Sequence, residues 1–173
     1  VLTALLRAPF PTIAGVEGAA LGAGTQLAVA CDLRVATEDA SFGIPAGKLG
    51  LMVDQWTVRR LTAVVGEPVA RAMFLGAQVY SGADAHRLGF VQRQGGVGDA
   101  LAWAEEITRL APLSLAGHKL GLNEAEDGPV DDPVTDSYQS AWSKAWSSED
   151  LQEGLAAFGA GGGTRRAPQF QGR

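Results

Sequence analysis

The sequence holds a single cysteine, Cys31, so no internal disulfide is possible and a stapled secreted scaffold is excluded. A cytoplasmic location fits that usage best. No apolar run approaches the roughly 18 residues that a membrane span needs, so no membrane partner is expected. Basic residues are few: 14 Lys and Arg stand against 19 Asp and Glu, a net charge of −5. A nucleic-acid binder shows a basic face instead, so no nucleic-acid partner is expected either. The two histidines, His86 and His118, are isolated in predicted helices and are expected to be solvated. Together with one cysteine they make no metal-spaced set. Gly43 to Lys48 has the wrong spacing for a phosphate-cradling Walker loop, and no G-x-S-x-G elbow occurs. The opening VLTALLRAPFP has no basic segment of a signal peptide. It starts on Val1 rather than Met, which gives the expectation that something precedes it.

What remains is an ordinary globular composition, 46% apolar and 19% charged, in a chain long enough for one domain with a real core. It is organised around Pro11 to Asp32, PTIAGVEGAALGAGTQLAVACD. Thr12 to Val16 is a compact apolar run suited to a buried strand. Gly18, Gly22 and Gly24 then allow a tight turn, and Thr25 to Ala30 are good helix material. Such a turn leaves backbone N–H groups free at a helix N-terminus, a site for a phosphate or for a carbonyl oxygen becoming an oxyanion. The plain alternative is a tight connection with nothing bound. Gly22-Ala23-Gly24-Thr25-Gln26-Leu27 comes close to a dinucleotide fingerprint and fails at Leu27, where the third glycine belongs.

Further along, Leu33 to Thr37 and Ala40 to Pro45 read as extended, and Ala46 to Val53 as a loop. Asp54 precedes a helix over Gln55 to Val65 with Val58, Leu61, Val64 and Val65 on its apolar face. Gly66 closes it, and Pro68 opens the next helix, carrying Val69, Ala70, Met73 and Phe74. Ser81 with Asp84 begins a short helix in the manner of a capping box. Phe90 to Arg93 reads as a strand. Residues 97–111 read as a helix with Leu101, Ala104, Ile107 and Leu110 inward, and Pro112 starts another. Asn123 to Pro133 reads as a loop. Val134, Tyr138, Trp142, Ala145 and Trp146 make an aromatic stripe, and the last helix begins near Glu149 with Leu151, Leu155 and Phe158 on one side. The tail from Gly159 is expected to be mobile. No sequence repeat appears at a period of 20–50 residues. Strands first and helices later suggest a layered α/β core with a helical annex.

The ordered set of short motifs resembles the crotonase, or enoyl-CoA hydratase/isomerase, superfamily. It comprises Pro11-Thr12-Ile13-Ala14, Gly18 to Gly24, Leu27-Ala28, Cys31-Asp32, Ala40 to Gly43 with Pro45, and Leu49-Gly50. Arg60-Leu61, Gly66, Ala70, Leu75-Gly76, Ala83-Asp84-Ala85, Leu88-Gly89 and Glu153 to Phe158 continue it. The fold so implied is crotonase-like α/β, of stacked strand–strand–helix units with a C-terminal helical region that supports oligomers. The division expected is a core over 1–95, a helical region over 96–158 and a flexible tail over 159–173. Upstream strands, the second oxyanion donor and part of the coenzyme A surface are expected to lie outside this stretch.

The resemblance also implies a ligand, an acyl-CoA, with coenzyme A entering as part of the thioester and no separate cofactor. A homotrimer or dimer of trimers is the implied assembly. One oxyanion donor is the N–H at the middle of the glycine turn, here Ala23, flanked by Gly22 and Gly24. The family's two catalytic glutamates fall at Gln26 and Ala46, an amide and a methyl that do not titrate near neutral pH. The expectation is a thioester-binding protein of fatty-acid metabolism with little or no hydratase activity. The alternative is an isomerase or other proton-transfer enzyme using Asp54, which matches an acid of some branches and equally suits a helix N-cap. A nucleotide-binding domain of another kind is the third reading. Trp56 stands where the family has a small residue, and either walls the acyl pocket beside Ala46 or packs in the core.

Overall fold

The computed structural model describes residues 1–125, 135–159 and 167–173. The expected loop over 126–133, Val134 of the aromatic stripe, the side chain of Phe158 and the glycine run of the tail lie outside the described residues. Two compact units make up the chain: Val1–Ala8 with Thr12–Trp103, and Pro9–Pro11 with Ala104–Arg173.

The first unit opens with helix α1 (Leu2–Leu6), followed by strands β1 (Ile13–Val16) and β2 (Ala19–Leu21) and helix α2 (Ala23–Ala30). The order then recurs: β3 (Leu33–Ala36), β4 (Ser41–Gly43), a 3₁₀ turn (Ala46–Leu49), and helices α3 (Gln55–Val65) and α4 (Glu67–Leu75). After these come β5 (Tyr80–Ser81), α5 (Gly82–Arg87), β6 (Arg93–Gln94) and α6 (Val97–Ile107). Two three-stranded sheets result, ordered β1-β3-β6 and β2-β4-β5. Strand β1 pairs in parallel with β3, Ile13 opposite Leu33, and β2 in parallel with β4, Ala19 opposite Ser41. Each strand–strand–helix unit therefore lays its strands beside those of the next, about one unit further along the chain. The backbone repeats although the sequence does not: the paired positions range from Ala20 and Phe42 to Ala14 and Arg34 or Val35 and Arg93.

Parallel strands covered on both faces lose the alternation of a half-exposed strand. Accordingly Arg34, Val35 and Ala36 of β3 are buried in succession. The core gathers Val29, Phe42, Ile44, Leu61, Met73, Phe90 and Val91, with Phe42 and Phe90 meeting edge to face at 5.1 Å. Where a helix meets the sheet closely, small residues select the face. A β-carbon on Gly15 would sit 3.1 Å from that of Ala100. Ala100 is thus the buried residue of α6, while Leu101, expected inward, is 62% exposed.

Other expectations are corrected similarly. Val58 and Leu110 are exposed. Strand β2, only three residues of alanine and leucine, lies within the stretch expected to be glycine turn. The strand expected over Phe90–Arg93 is confined to Arg93–Gln94, and Phe90 and Val91 are both buried ahead of it. Helix α7 (Pro112–Ala125) continues through Asn123, where a loop is expected to begin. Both histidines are exposed, as expected.

Arg34, on β3, is only 3% exposed, and its guanidinium donates to backbone carbonyls. Its Nε donates to Phe90 O (2.5 Å), one terminal nitrogen to Ala28 O (3.0 Å) and Cys31 O (2.9 Å), and the other to Asp32 O (3.2 Å). These are carbonyls at the C-terminal end of α2 and beyond, where a helix has no amide partners to offer. Burial, then the charge of Arg60, pulls the Arg34 pKa down to about 10, so it remains a cation at neutral pH.

The second unit is helical, with α7, α8 (Asp136–Trp146) and α9 (Glu149–Gly159). Thr135 caps α8 by accepting from the Tyr138 N–H. Trp142 and Trp146 lie 5.3 Å apart and are largely exposed. The buried Asp150 carboxylate accepts from the N–H groups of Gln171 (2.6 Å) and Gly172 (2.8 Å). A cavity of about 350 Å³ in this unit is lined by residues including Leu113, Trp146, Leu151, Leu155 and Phe170, and by none of the predicted site residues.

Candidate functional site

The site residues named from the sequence lie in the first unit. Gly22 enters α2 with φ +54°, in the left-handed region that favours glycine, and its N–H donates to Gly43 O at 2.8 Å. The buried Thr25 hydroxyl reinforces this junction, lying 2.5 Å from Ala20 O and accepting from the Gly43 N–H at 2.9 Å. The glycine turn is therefore bolted to β4. Ala23 is the first residue of α2, so its N–H has no carbonyl one turn back. Among the described residues no acceptor meets that N–H. Gly24 serves packing rather than turn geometry, because a β-carbon there would lie 3.3 Å from that of Ala20.

Gln26 stands one turn into α2, on the same side as Ala23. Its Nε2 donates to Thr57 Oγ1 at 2.9 Å and reaches Asp54 Oδ2 at 3.4 Å. Thr57 Oγ1 in turn donates to Asp54 Oδ2 at 2.8 Å, while the Thr57 N–H donates to Asp54 Oδ1 at 3.0 Å. Asp54 is the N-cap of α3, with extended backbone. The structure so brings together Gln26 and Asp54 through Thr57, a fully buried residue that sequence reasoning passed over. The signal available was the D-x-x-T spacing at a helix start, in which a threonine at the third helical position faces its own cap.

Ala46 begins the 3₁₀ turn, half-buried, with its methyl against the edge of the core. Trp56 is half-buried in the first turn of α3. No hydrogen bond joins either residue's side chain to Gln26 or Asp54 among the described residues. Just ahead of Asp54, Leu49, Leu51 and Met52 are exposed.

The Asp54 carboxyl is held below the usual carboxylate range, first by the Thr57 N–H and next by the Thr57 hydroxyl. A depressed folded-state pKa adds stability that is present above the unfolded value of about 3.9 and is lost as pH falls through the folded value. Asp54→Ala is therefore expected to cost about 1 kcal/mol at neutral pH, the ordinary worth of an N-cap. Asp54→Asn retains an oxygen for the Thr57 N–H but removes the titration. Urea denaturation across pH 2.5 to 7 should show a shallower acid-side loss for Asp54→Asn than for the unsubstituted protein. Equal slopes would show that the bonds from Thr57 do not perturb the carboxyl.

Among the described residues, no group of His, Cys, Asp and Glu could hold a metal ion, and no helix is long and apolar enough to cross a membrane. The family model described as enoyl-CoA hydratase/isomerase matches residues 1–173. The Mycobacterium tuberculosis (strain CDC 1551 / Oshkosh) protein named "Probable enoyl-CoA hydratase echA6" is 41% identical over 169 residues, 98% of this chain and 67% of its own length. The (E)-benzylidenesuccinyl-CoA hydratase of Thauera aromatica is 33% identical over 94% of this chain and 63% of its own. An enoyl-CoA hydratase/isomerase family structure from Hyphomonas neptunium superposes with a TM-score of 0.87 at 33% identity, covering 99% of this chain and 65% of that one. The chain thus spans about two thirds of the length of the relatives it matches.

Proposed function

The chain belongs to the enoyl-CoA hydratase/isomerase family, and from that premise we propose that it binds fatty acyl-CoA or enoyl-CoA thioesters while having little or no hydratase activity. The observation that carries the reading is the chemistry at Gln26, Ala46 and Asp54 taken together. The family resemblance puts the hydratase glutamates at Gln26 and Ala46, and neither side chain present exchanges a proton near neutral pH. Each missing acid–base group withholds about 10²- to 10⁴-fold in rate. The carboxylate bonded to Gln26 and Thr57, that of Asp54, is capping α3 with one oxygen and bonded to the Thr57 hydroxyl with the other. With its pKa held low it is a poor proton carrier at neutral pH.

Binding makes a different demand. A thioester oxygen needs donors aimed at it, and the Ala23 N–H at the head of α2 is such a donor, aided by the positive end of the helix. Alanine in place of glycine leaves that N–H in being. Membership of the family sets aside the reading of the glycine run as a nucleotide-binding turn of another kind.

A spectrophotometric hydration assay on crotonyl-CoA and a longer enoyl-CoA, beside calorimetry with a saturated acyl-CoA, tests the proposal on the full-length protein. Saturable binding without absorbance loss is the expected result. Efficient hydration would overturn it. Turnover of another kind that disappears in a folded Asp54→Asn variant would put the isomerase in its place.

A further inference from the structure

We propose that the cavity in the helical unit is a ligand site for a small uncharged aromatic molecule carrying one hydrogen-bond donor, and that the C-terminal residues 167–173 form a strap that closes it through Phe170. The site lies beyond the thioester reading, since none of the residues on which that reading rests lines it.

The strap runs back along the first turns of α9, against the direction of the helix. Helix carboxylates hold its backbone. The Gln169 N–H donates to Glu153 Oε1 at 2.9 Å, and the N–H groups of Gln171 and Gly172 donate to the two oxygens of Asp150. The Asp150 N–H donates in return to Arg173 O at 3.2 Å, and the Arg173 guanidinium pairs with Glu149 at 2.9 Å. Pro168, Phe170 and Gly172 are half-buried and the residues between them exposed, the alternation of an extended segment. Phe170 is thereby set over Gly154, where a β-carbon would lie 3.6 Å from the ring.

The lining fixes the class of ligand. Leu113, Trp146, Leu151 and Phe170 supply carbon, and the volume of about 350 Å³ exceeds the roughly 150 Å³ that admits benzene. A two-ring aromatic molecule therefore fits. Asp150 supplies the polar contact: it lines the cavity, is 3% exposed, and accepts one N–H at each oxygen. A carboxylate offers about four acceptor positions, so room remains for a ligand N–H or O–H. No described residue makes a further hydrogen bond to that carboxylate. An anion is turned away, because Glu149, Asp150 and Glu153 all stand in the first turns of α9. A full positive charge would give up its water to a wall that is otherwise mostly carbon, so a neutral donor fits best.

The test is calorimetric titration of the full-length protein with indole, 1-methylindole and indole-3-carboxylate. Indole should bind saturably, one per chain. Loss of the hydrogen bond to a carboxylate should weaken 1-methylindole about tenfold or more, and the carboxylate analogue should not bind. Phe170→Ala should weaken indole about three- to tenfold by removing an aromatic wall. Gly154→Leu, which places carbon between the helix and the Phe170 ring, should abolish indole binding, whereas Gly154→Ala should keep it. Circular dichroism checks that each variant is folded. Absence of saturable indole binding overturns the proposal, and so does undiminished binding in folded Gly154→Leu. Equal Kd values for indole and 1-methylindole overturn the role given to Asp150 and the ligand class with it. Displacement of indole by a saturated acyl-CoA would place it in the thioester site and also overturn the proposal. Failure of acyl-CoA to bind, with indole still bound, would remove the thioester reading alone.

Discussion

Replacing Gln26 and Ala46 together by glutamate is expected to raise the hydration rate of crotonyl-CoA by about 10²-fold or more, since each acid–base group is worth about 10²- to 10⁴-fold. The fold around both positions is already in place. Gln26 lies one turn past the Ala23 N–H, and Ala46 starts a 3₁₀ turn and is only half-buried. Gln26→Glu also acquires a perturbed titration. The Gln26 amide nitrogen lies 3.4 Å from Asp54 Oδ2, so a carboxylate in its place meets a like charge. Two carboxylates that close cannot both ionise freely, and one of the pair titrates at a raised pKa. Because the Thr57 bonds favour the charged form of Asp54, the raised value falls on the new glutamate, which suits it to proton transfer nearer neutral pH. The rate of the double variant should therefore show an acid-side limb that moves down in pH when Asp54→Asn is added. No gain in rate, with thioester binding intact, would mean that the absent glutamates are not what withholds hydration.

The second large effect concerns folding. Arg34→Met should destabilise the protein by about 3–5 kcal/mol in urea denaturation, the range in which removing one partner of a buried charged network falls. Methionine matches the length of the stem but leaves the carbonyls of Ala28, Cys31, Asp32 and Phe90 without the donor they now share. Desolvated carbonyls left unpaired cost about 1–3 kcal/mol each, offset in part by no longer burying a charge. Arg34→Lys should recover little, because an ammonium is a point donor and cannot fork across several carbonyls as the planar guanidinium does. A loss below about 1 kcal/mol for Arg34→Met would show that water reaches these carbonyls and that the clamp is dispensable.

Much of this was legible from the sequence where a local rule operates. Asp54 reads as a cap because an acceptor side chain before an apolar helix has few other uses, and Ser81 with Asp84 reads likewise. The glycine turn reads as a turn because Gly18 and Gly22 take positive φ there. Arg34 gave no such signal: a basic residue within an apolar run suggests an edge or an exposed position, and here it is at the centre. Its role arises only when the end of α2 and the Phe90 segment converge on it from opposite directions along the chain. Leu101 misled for the related reason that helical spacing ranks side chains by apolarity. The packed face of α6 was chosen instead by how close Gly15 allows the helix to come.

By itself the sequence determined the family, the α/β class, the strand–glycine turn–helix junction and the absence of titrating side chains at Gln26 and Ala46, because each depends on residue type and short-range order. Only the tertiary structure decided that Gln26, Thr57 and Asp54 form one hydrogen-bonded chain, with Gln26 and Asp54 28 residues apart. That is a property of two helices meeting, and a hydrogen bond across such a separation leaves no periodic trace in either segment.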